Sequence, residues 1–309
     1  MILPLRLLLL VLALATGFYG AGCLFLYVRQ TRMIFFPSSV IEATPGDFDM
    51  SFEEVWLPVG NGRVHGWWIP SGQDNPELGV ILHLHGNAIN MGANLAQAQR
   101  FHQLGLSVLM IDYRGYGRSQ GDFPNEQQVY QDAEASWRYL TQTRQISPQQ
   151  IVIYGHSLGG AIAIELASHH TNAAGLIVES SFTSMRQMVD YTSPRSIFPT
   201  DLLLTQKFSS LTKVSALQMP LLLIHGGADQ KVPAWMSQAL YDAASEPKQL
   251  YLVPLAAHND VGAAAGAAYL RVVGKFVQNL VKVQVSSDSV DSATTASSAT
   301  ASGDDRPAM

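Results

Sequence analysis

The sequence predicts an α/β fold in which a mainly parallel central sheet carries helices on both faces. Three observations predict it. Short apolar, β-branched runs alternate with helical stretches through the middle of the chain, which is the pattern of strand, crossover and parallel strand. One of those runs, Ile151 to Tyr154, breaks into Gly155-His156-Ser157-Leu158-Gly159-Gly160 and then an apolar helical stretch. Ser157, Asp229 and His258 each follow a predicted strand, and in sheets of this kind reactive groups gather outside the strands' carboxyl ends.

Taken in order, the chain begins with Leu7 to Val28, about 22 residues without a charge, enough to span a hydrocarbon core of roughly 30 Å as a helix. Arg6 flanks it on one side and Arg29 and Arg32 on the other, so the flanking charges nearly balance and leave the orientation open. A cleaved signal peptide is the rival reading, with Ala21-Gly22 as a cleavage site, but the apolar residues continue past that point. Met33-Ile34-Phe35-Phe36-Pro37 is too apolar for a free linker and is expected to dock on the domain or to lie in the membrane interface.

Phe52 to Leu57 and Val64 to Ile69 alternate around Gly60-Asn61-Gly62 and read as a hairpin. The strand Val80 to Leu84 follows, running into His85-Gly86-Asn87, then a helix near Leu95 to Leu104 and the strand Ser107 to Ile111. A helix over Gln128 to Thr141 precedes the strand at Ile151, and Gly175 to Val178 is the strand after the elbow. Ser180 to Met219 is too long and too apolar for a simple connection. Leu221 to Ile224 and Leu250 to Val253 are the last strands, and Ala268 to Val281 closes the domain as an amphipathic helix. Three regions result: a membrane anchor and its flank (1–32), one α/β domain (33–283) and a tail (284–309) too poor in large apolar side chains to offset the entropy of ordering.

The G-x-S-x-G pattern between a strand and a helix is a nucleophile elbow. Its strained turn holds the Ser157 hydroxyl out at the sheet edge, and the N–H of Leu158, opening the helix, faces a developing oxyanion. A serine hydroxyl becomes a good nucleophile when an imidazole takes its proton and a carboxylate holds that imidazole's tautomer. His258 is the candidate base and Asp229 the candidate acid, with Glu179, also at a strand end, as the alternative acid. His83 and His85, two residues apart, point to one side of a strand, but no third ligand stands at a suitable spacing for a metal. His156 reads as a spacer in the elbow and His169-His170 as an exposed helix end, while Asp112 and Arg114 read as residues that fix a loop near the site.

The net charge is −5 and the basic residues are scattered, which argues against nucleic acid as a partner. Cys23, the only cysteine, lies in the N-terminal apolar run, so the domain has no internal disulfide, no cysteine zinc cluster and no thiol nucleophile.

From about Gln30 to Leu280 the chain resembles an α/β-hydrolase, and within that superfamily it is similar to short-capped, membrane-anchored serine hydrolases that include protein depalmitoylases. The matching pieces are Gln30…Phe36-Pro37, His85-Gly86-Asn87, Asp112-Tyr113-Arg114-Gly115-Tyr116-Gly117, the elbow, Glu179-Ser180-Ser181-Phe182-Thr183-Ser184, His225-Gly226…Asp229 and His258-Asn259-Asp260. The resemblance implies that Ser157 is the nucleophile, His258 the general base and Asp229 its orienting acid, and that the oxyanion hole combines the N–H groups of Leu158 and Asn87. It places a short cap at about 180–219 and implies neither cofactor nor metal. Two positions depart from the pattern. Ile89 stands where relatives commonly carry glycine, and a side chain there cannot use a positive φ cheaply; Ala257 replaces the glycine that usually precedes the histidine.

The expected activity is hydrolysis of carboxylic esters or thioesters, with peptide bonds and other acyl amides as alternatives. A non-catalytic interaction protein on the same scaffold is the reading from a different class. The expected partners are an acyl ester or thioester substrate, including a lipid or lipidated protein, and the membrane.

Overall fold

The computed structural model describes residues 2–60, 62–72 and 79–280. The hairpin residue Asn61 and the tail at 284–309 lie outside the described residues. In chain order the elements are α1 (Ile2–Ile34), β1 (Phe36–Pro37), β2 (Glu53–Val59), β3 (Gly62–Ile69), β4 (Val80–Leu84), β5 (Ala88–Ile89), α2 (Leu95–Gln103), β6 (Ser107–Ile111), α3 (Glu126–Arg138), β7 (Ile151–His156), α4 (Leu158–His169) and β8 (Gly175–Glu179). The segment after β8 carries α5 (Met185–Thr192), α6 (Thr200–Leu203) and α7 (Ser210–Val214). Then come β9 (Leu221–Gly226), α8 (Trp235–Ala243), β10 (Lys248–Val253), α9 (Val261–Ala265) and α10 (267–280).

The large sheet has the order β10-β9-β8-β7-β4-β6-β3-β2 and is parallel from β10 to β6; β3 runs antiparallel to both β6 and β2. Because successive residues of a strand face opposite sides, register turns each row of neighbours into one layer of a core. Leu109, Leu82, Ile153, Leu176 and Leu221 lie in register across five strands and pack under α3, α4, α7 and α8. The next row, Met110, His83, Tyr154, Ile177 and Leu222, faces α2, α9 and α10, which contribute Phe101, Val261, Tyr269, Val273 and Phe276. Both faces of the parallel strands are therefore buried, which is why they read as continuous apolar runs.

Several elements differ from the sequence reading at their ends. The helix expected over Gln128 to Thr141 is α3 followed by a π-helical turn, Tyr139–Thr143; it begins early because the Asn125 side chain accepts the N–H of Gln128 (3.0 Å) and caps it. β7 and β9 extend to His156 and Gly226 because His156 pairs with Glu179 of β8 and Gly226 with Val253 of β10. α1 continues past the charge-free run through Arg29, Gln30 and Arg32, so the boundary after residue 32 falls inside a helix. Its outer faces are exposed along nearly the whole described length, and among the described side chains only Gln30 and Ile34 become buried.

The apolar stretch after α1 docks on the domain. Phe35 is buried against Phe208, and β1 pairs in parallel with β5, with Phe36 opposite Ala88 and Pro37 opposite Ile89. Ile89 takes a positive φ all the same, +67°, and as expected of a side chain there it does so at a cost. The Ile89 carbonyl accepts the N–H of Ser38 (2.8 Å), and the ribbon holds the residue in a conformation that costs a non-glycine residue about 1–3 kcal/mol.

Candidate active site

Ser157 lies between β7 and α4 with φ 54° and ψ −119°, a backbone conformation that L residues rarely occupy. The surroundings enforce it. A Cβ on Gly155 would stand 2.1 Å from the Gly159 carbonyl oxygen, and one on Gly159 would stand 2.1 Å from that of Leu84, so only glycine lets the strand, the turn and α4 approach this closely. The Ser157 N–H donates to the Glu179 carbonyl (2.9 Å), and the Ser181 hydroxyl donates to the Ser157 carbonyl (2.8 Å). The strained residue is thus tied on both sides of its Cα, to the end of β8 and to the turn that follows it.

His258, beyond β10, and Asp229, beyond β9, reach the same point. His258 Nδ1 lies 2.7 Å from Asp229 Oδ2, and His258 Nε2 lies 2.9 Å from Ser157 Oγ. A carboxylate only accepts, so Nδ1–H donates to Asp229 and Nε2 is free to accept from the Ser157 hydroxyl. The other Asp229 oxygen accepts the N–H groups of Lys231 (2.8 Å) and Val232 (2.9 Å), and His225 Nε2 approaches Oδ2 at 3.3 Å. Burial pushes the Asp229 carboxyl up, but hydrogen bonds from His225, His258 and Val232 outweigh it and hold the group well below the ordinary carboxylate range. Asp229 is therefore charged at any pH where an imidazole can act as a base.

The alternative acid faces elsewhere. Glu179 is buried and accepts the Tyr269 hydroxyl (2.6 Å) on the α10 side of the sheet, where burial raises its carboxyl. His83 and His85 do not share a side. His83 lies in the sheet row among Tyr154 and Phe101, whereas His85 packs on Tyr113 and Tyr116, because β4 ends at Leu84 and strand alternation stops there. His156 is more than a spacer: its Nε2–H donates to the carbonyl of His258 (3.1 Å), holding that residue's backbone, and burial together with the neighbouring His258 lowers its imidazole to about 4. His170 is only half of an exposed helix end, since it stacks on Trp137 and lies 2.7 Å from Glu134. Asp112 and Arg114 do fix loops: Asp112 accepts the Met91 N–H (2.6 Å), and Arg114 pairs with buried Asp132 (2.7 Å).

Asn87 and Leu158 both face the cavity above Ser157. As the first residue of α4, Leu158 has no intrahelical acceptor for its N–H. Asn87 is fixed by three contacts: its carbonyl accepts the Phe36 N–H (2.8 Å) and the Tyr116 hydroxyl (2.7 Å), and its side-chain amide donates to the Ile34 carbonyl (2.8 Å). The loop beside Ser157 thus hangs on the junction between α1 and β1.

The cavity has a volume of about 850 Å³, within the range of small-molecule sites. Ser157 and His258 lie at its base, and its walls come from α1 (Leu26, Gln30, Met33, Ile34) and from the segment after β8 (Met185, Met188, Ile197, Phe198, Leu203, Leu204). Gln30 uses both ends of its amide on that segment. Its Oε1 accepts the N–H groups of Thr205 (2.8 Å) and Gln206 (3.2 Å), and its Nε2 donates to the carbonyls of Leu203 (3.0 Å) and Tyr27 (2.8 Å). Of the other apolar residues in 180–219, Phe208 packs in the core, and Tyr191 and Leu202 are exposed.

The family described as serine aminopeptidase, S33, matches residues 75–213. An uncharacterised protein of Mycobacterium tuberculosis is 34% identical over 257 residues, 82% of this chain and 89% of its own length. Protein bem46 of Schizosaccharomyces pombe is 31% identical over 263 residues, 82% of this chain and 87% of its own. The chain belongs to the α/β-hydrolase superfamily. Among solved structures, an esterase of Pyrococcus furiosus superposes with a TM-score of 0.67 at 21% identity, over 80% of this chain and 98% of that one, a likeness of fold. The chain is a hydrolase on that fold, and Ser157 stands at the strands' carboxyl ends, where the reactive groups of such sheets gather.

Proposed function

We propose that this α/β-hydrolase is a membrane-anchored serine hydrolase that cleaves carboxylic ester or thioester bonds of acyl substrates. The observation that carries the proposal is the unbroken chain of contacts from Asp229 through His258 to Ser157, opening into an apolar cavity. Ser157 Oγ attacks the acyl carbon while its proton passes to His258 Nε2, and Asp229 stabilises the imidazolium. The carbonyl oxygen, now an oxyanion, lies toward the N–H groups of Leu158 and Asn87. Collapse breaks the bond to the alcohol or thiol, which leaves with the proton from His258. Water then repeats the sequence on the acyl-enzyme and releases the acid.

Esters and thioesters fit this cavity better than the amino-terminal peptides that the matched family's description suggests. An α-ammonium group needs a carboxylate partner, and none of the described residues lining the cavity is Asp or Glu. Anchoring is supported by α1, whose apolar window is wholly exposed, and retention of the helix by its part in the fold. Cleavage near Gly22 would leave the cavity's α1 wall without the turns that precede it. The resemblance to depalmitoylase-like hydrolases adds lipidated protein to the substrate class.

A fluorophosphonate probe tests the proposal directly. It should label the wild type covalently and leave Ser157→Ala unlabelled at unchanged melting temperature; labelling that persists in the variant would end the assignment.

A further inference from the structure

The cap and α1 touch at a level that a membrane-spanning α1 must place inside the bilayer. Tyr19 stacks on Phe198, with ring centroids 5.6 Å apart and planes 15° from parallel, and its hydroxyl donates to the carbonyl of Ile197 (3.0 Å). One turn further on, Gly22 leaves room for the same ring: a Cβ there would come within 2.9 Å of Phe198. Measured from Arg6, the charge on the amino-terminal side of the apolar run, a hydrocarbon core of roughly 30 Å takes about 20 residues of helix. With Arg6 at the far boundary the core reaches to about Leu26, a residue of the cavity wall, and it holds Tyr19 and the cap loop stacked on it.

The loop is built for such a place. Ile197 and Leu202 are 74% and 81% exposed, side chains that water would solvate poorly and lipid would not. The charge beside them, Asp201, is paired with Arg186 (2.6 Å), and the exposed Arg195 has the length to reach headgroups. Phe198 itself belongs to the cavity wall, so the part of the cap lying on α1 borders the space that leads to Ser157.

We infer that the cap loop 193–203 is inserted into the leaflet on the domain's side of the membrane, and that the cavity is loaded sideways: the acyl chain of a bilayer-resident ester or thioester passes from that leaflet between α1 and the loop. This rests on the anchored acyl-hydrolase reading above. It adds that the substrate is taken from the membrane plane and not from water.

Depth and loading can be measured separately. A nitroxide on Leu202→Cys, in a full-length Cys23→Ser background that still reacts with fluorophosphonate, is read in phosphatidylcholine vesicles by collision with oxygen and with a water-soluble nickel complex. The inference expects oxygen to dominate at 202 and nickel to dominate at a Thr171→Cys control on the exposed end of α4. Nickel dominating at both sites, in protein that resists carbonate extraction, overturns the insertion and leaves the anchor standing; release by carbonate overturns both. For loading, a palmitoyl thioester in vesicles is diluted with inert ether lipid at constant bulk concentration. Sideways loading predicts a tenfold fall in rate on tenfold dilution below saturation, and a rate that follows bulk concentration alone overturns it.

Discussion

The two halves of the candidate site are held by opposite means. The half that bears Ser157, His258 and Asp229 stands on strand ends, is nearly closed to solvent, and has a hydrogen-bond partner for every polar group of the relay. The half formed by α1 and the cap is largely exposed, its three cap helices are short, and α1 holds the cap through the Gln30 amide, the Tyr19 hydroxyl and the stacked Tyr19–Phe198 pair. Strand ends fixed by a two-sided core keep atoms to the tolerance that proton transfer needs. A wall of short helices on an exposed apolar helix can vary without disturbing that tolerance. Under the proposed function, reaction rate should therefore be governed by the sheet and choice of acyl chain by α1 and the cap.

Breaking the sheet half should have the largest effect. Ser157→Ala or His258→Ala should lower kcat by at least about 10⁴-fold, and Asp229→Asn by somewhat less, because a triad acts as a unit. Glu179→Gln should stay within about tenfold of wild type in an ester assay; if it fails while Asp229→Asn remains active, the acid has been assigned to the wrong carboxylate.

Loosening the other half should change selectivity. Gln30→Ala leaves the Leu203 carbonyl and the Thr205 and Gln206 N–H groups without their partner; water can reach these part-buried positions, so each lost bond costs about 0.5–1.5 kcal/mol. The expected result is a loss in kcat/KM about tenfold greater for an octanoyl than for an acetyl ester. Equal losses for the two would place Gln30 in general stability and not in the acyl wall.

Acid sensitivity should trace to the core. His83 is lowered to about 3 by burial, and its ring nitrogens have no hydrogen-bond partner among the described residues. Below the unfolded value near 6.5 the unfolded chain takes up a proton that the folded chain refuses, so stability is full above that pH and declines as pH falls toward the folded value. His83→Phe, packing on the same Tyr154 and Phe101, should remove up to about 1.4 kcal/mol of that decline per pH unit between 6.5 and 4, measured by denaturant unfolding. His156→Phe removes a similar proton but also the support of the His258 backbone, so only that variant should lose activity as well.

The smallest effect is expected at Ile89. Glycine there relieves the positive φ but loosens the unfolded chain, for a net gain of about 0.5–1 kcal/mol with little change in rate. A loss of activity with a gain of stability would mean that the strained ribbon positions Asn87 and does more than tie β1 to β5.

What was legible in the sequence follows the same division. The strands of the sheet were readable because burial on both faces writes itself as apolar runs, and the elbow because its close approaches admit only glycine at 155 and 159. Strand-end positions then fixed where Asp229 and His258 had to meet Ser157. The contacts of the other half are between residues far apart in the chain, such as Gln30 with 203–206, Tyr19 with Phe198, and Phe36 with Asn87. Nothing local marks them, since a glutamine among helix-end arginines or an isoleucine after Asn87-Ala88 has the same local propensity whether or not a partner arrives. His156 was misread for that reason too: its role depends on the His258 carbonyl, 102 positions away.

Whether a serine relay on the sheet serves an acyl-binding wall on α1 and the cap is decided by kcat/KM across esters from acetyl to palmitoyl, with a palmitoyl thioester beside them and detergent held constant. Each enclosed CH₂ contributes roughly 0.8 kcal/mol, so four more carbons from butyryl to octanoyl should add about 3 kcal/mol, a rise on the order of 100-fold. A profile that climbs through octanoyl is the predicted result; a monotonic fall beyond butyryl would contradict the acyl wall and leave a short-chain esterase.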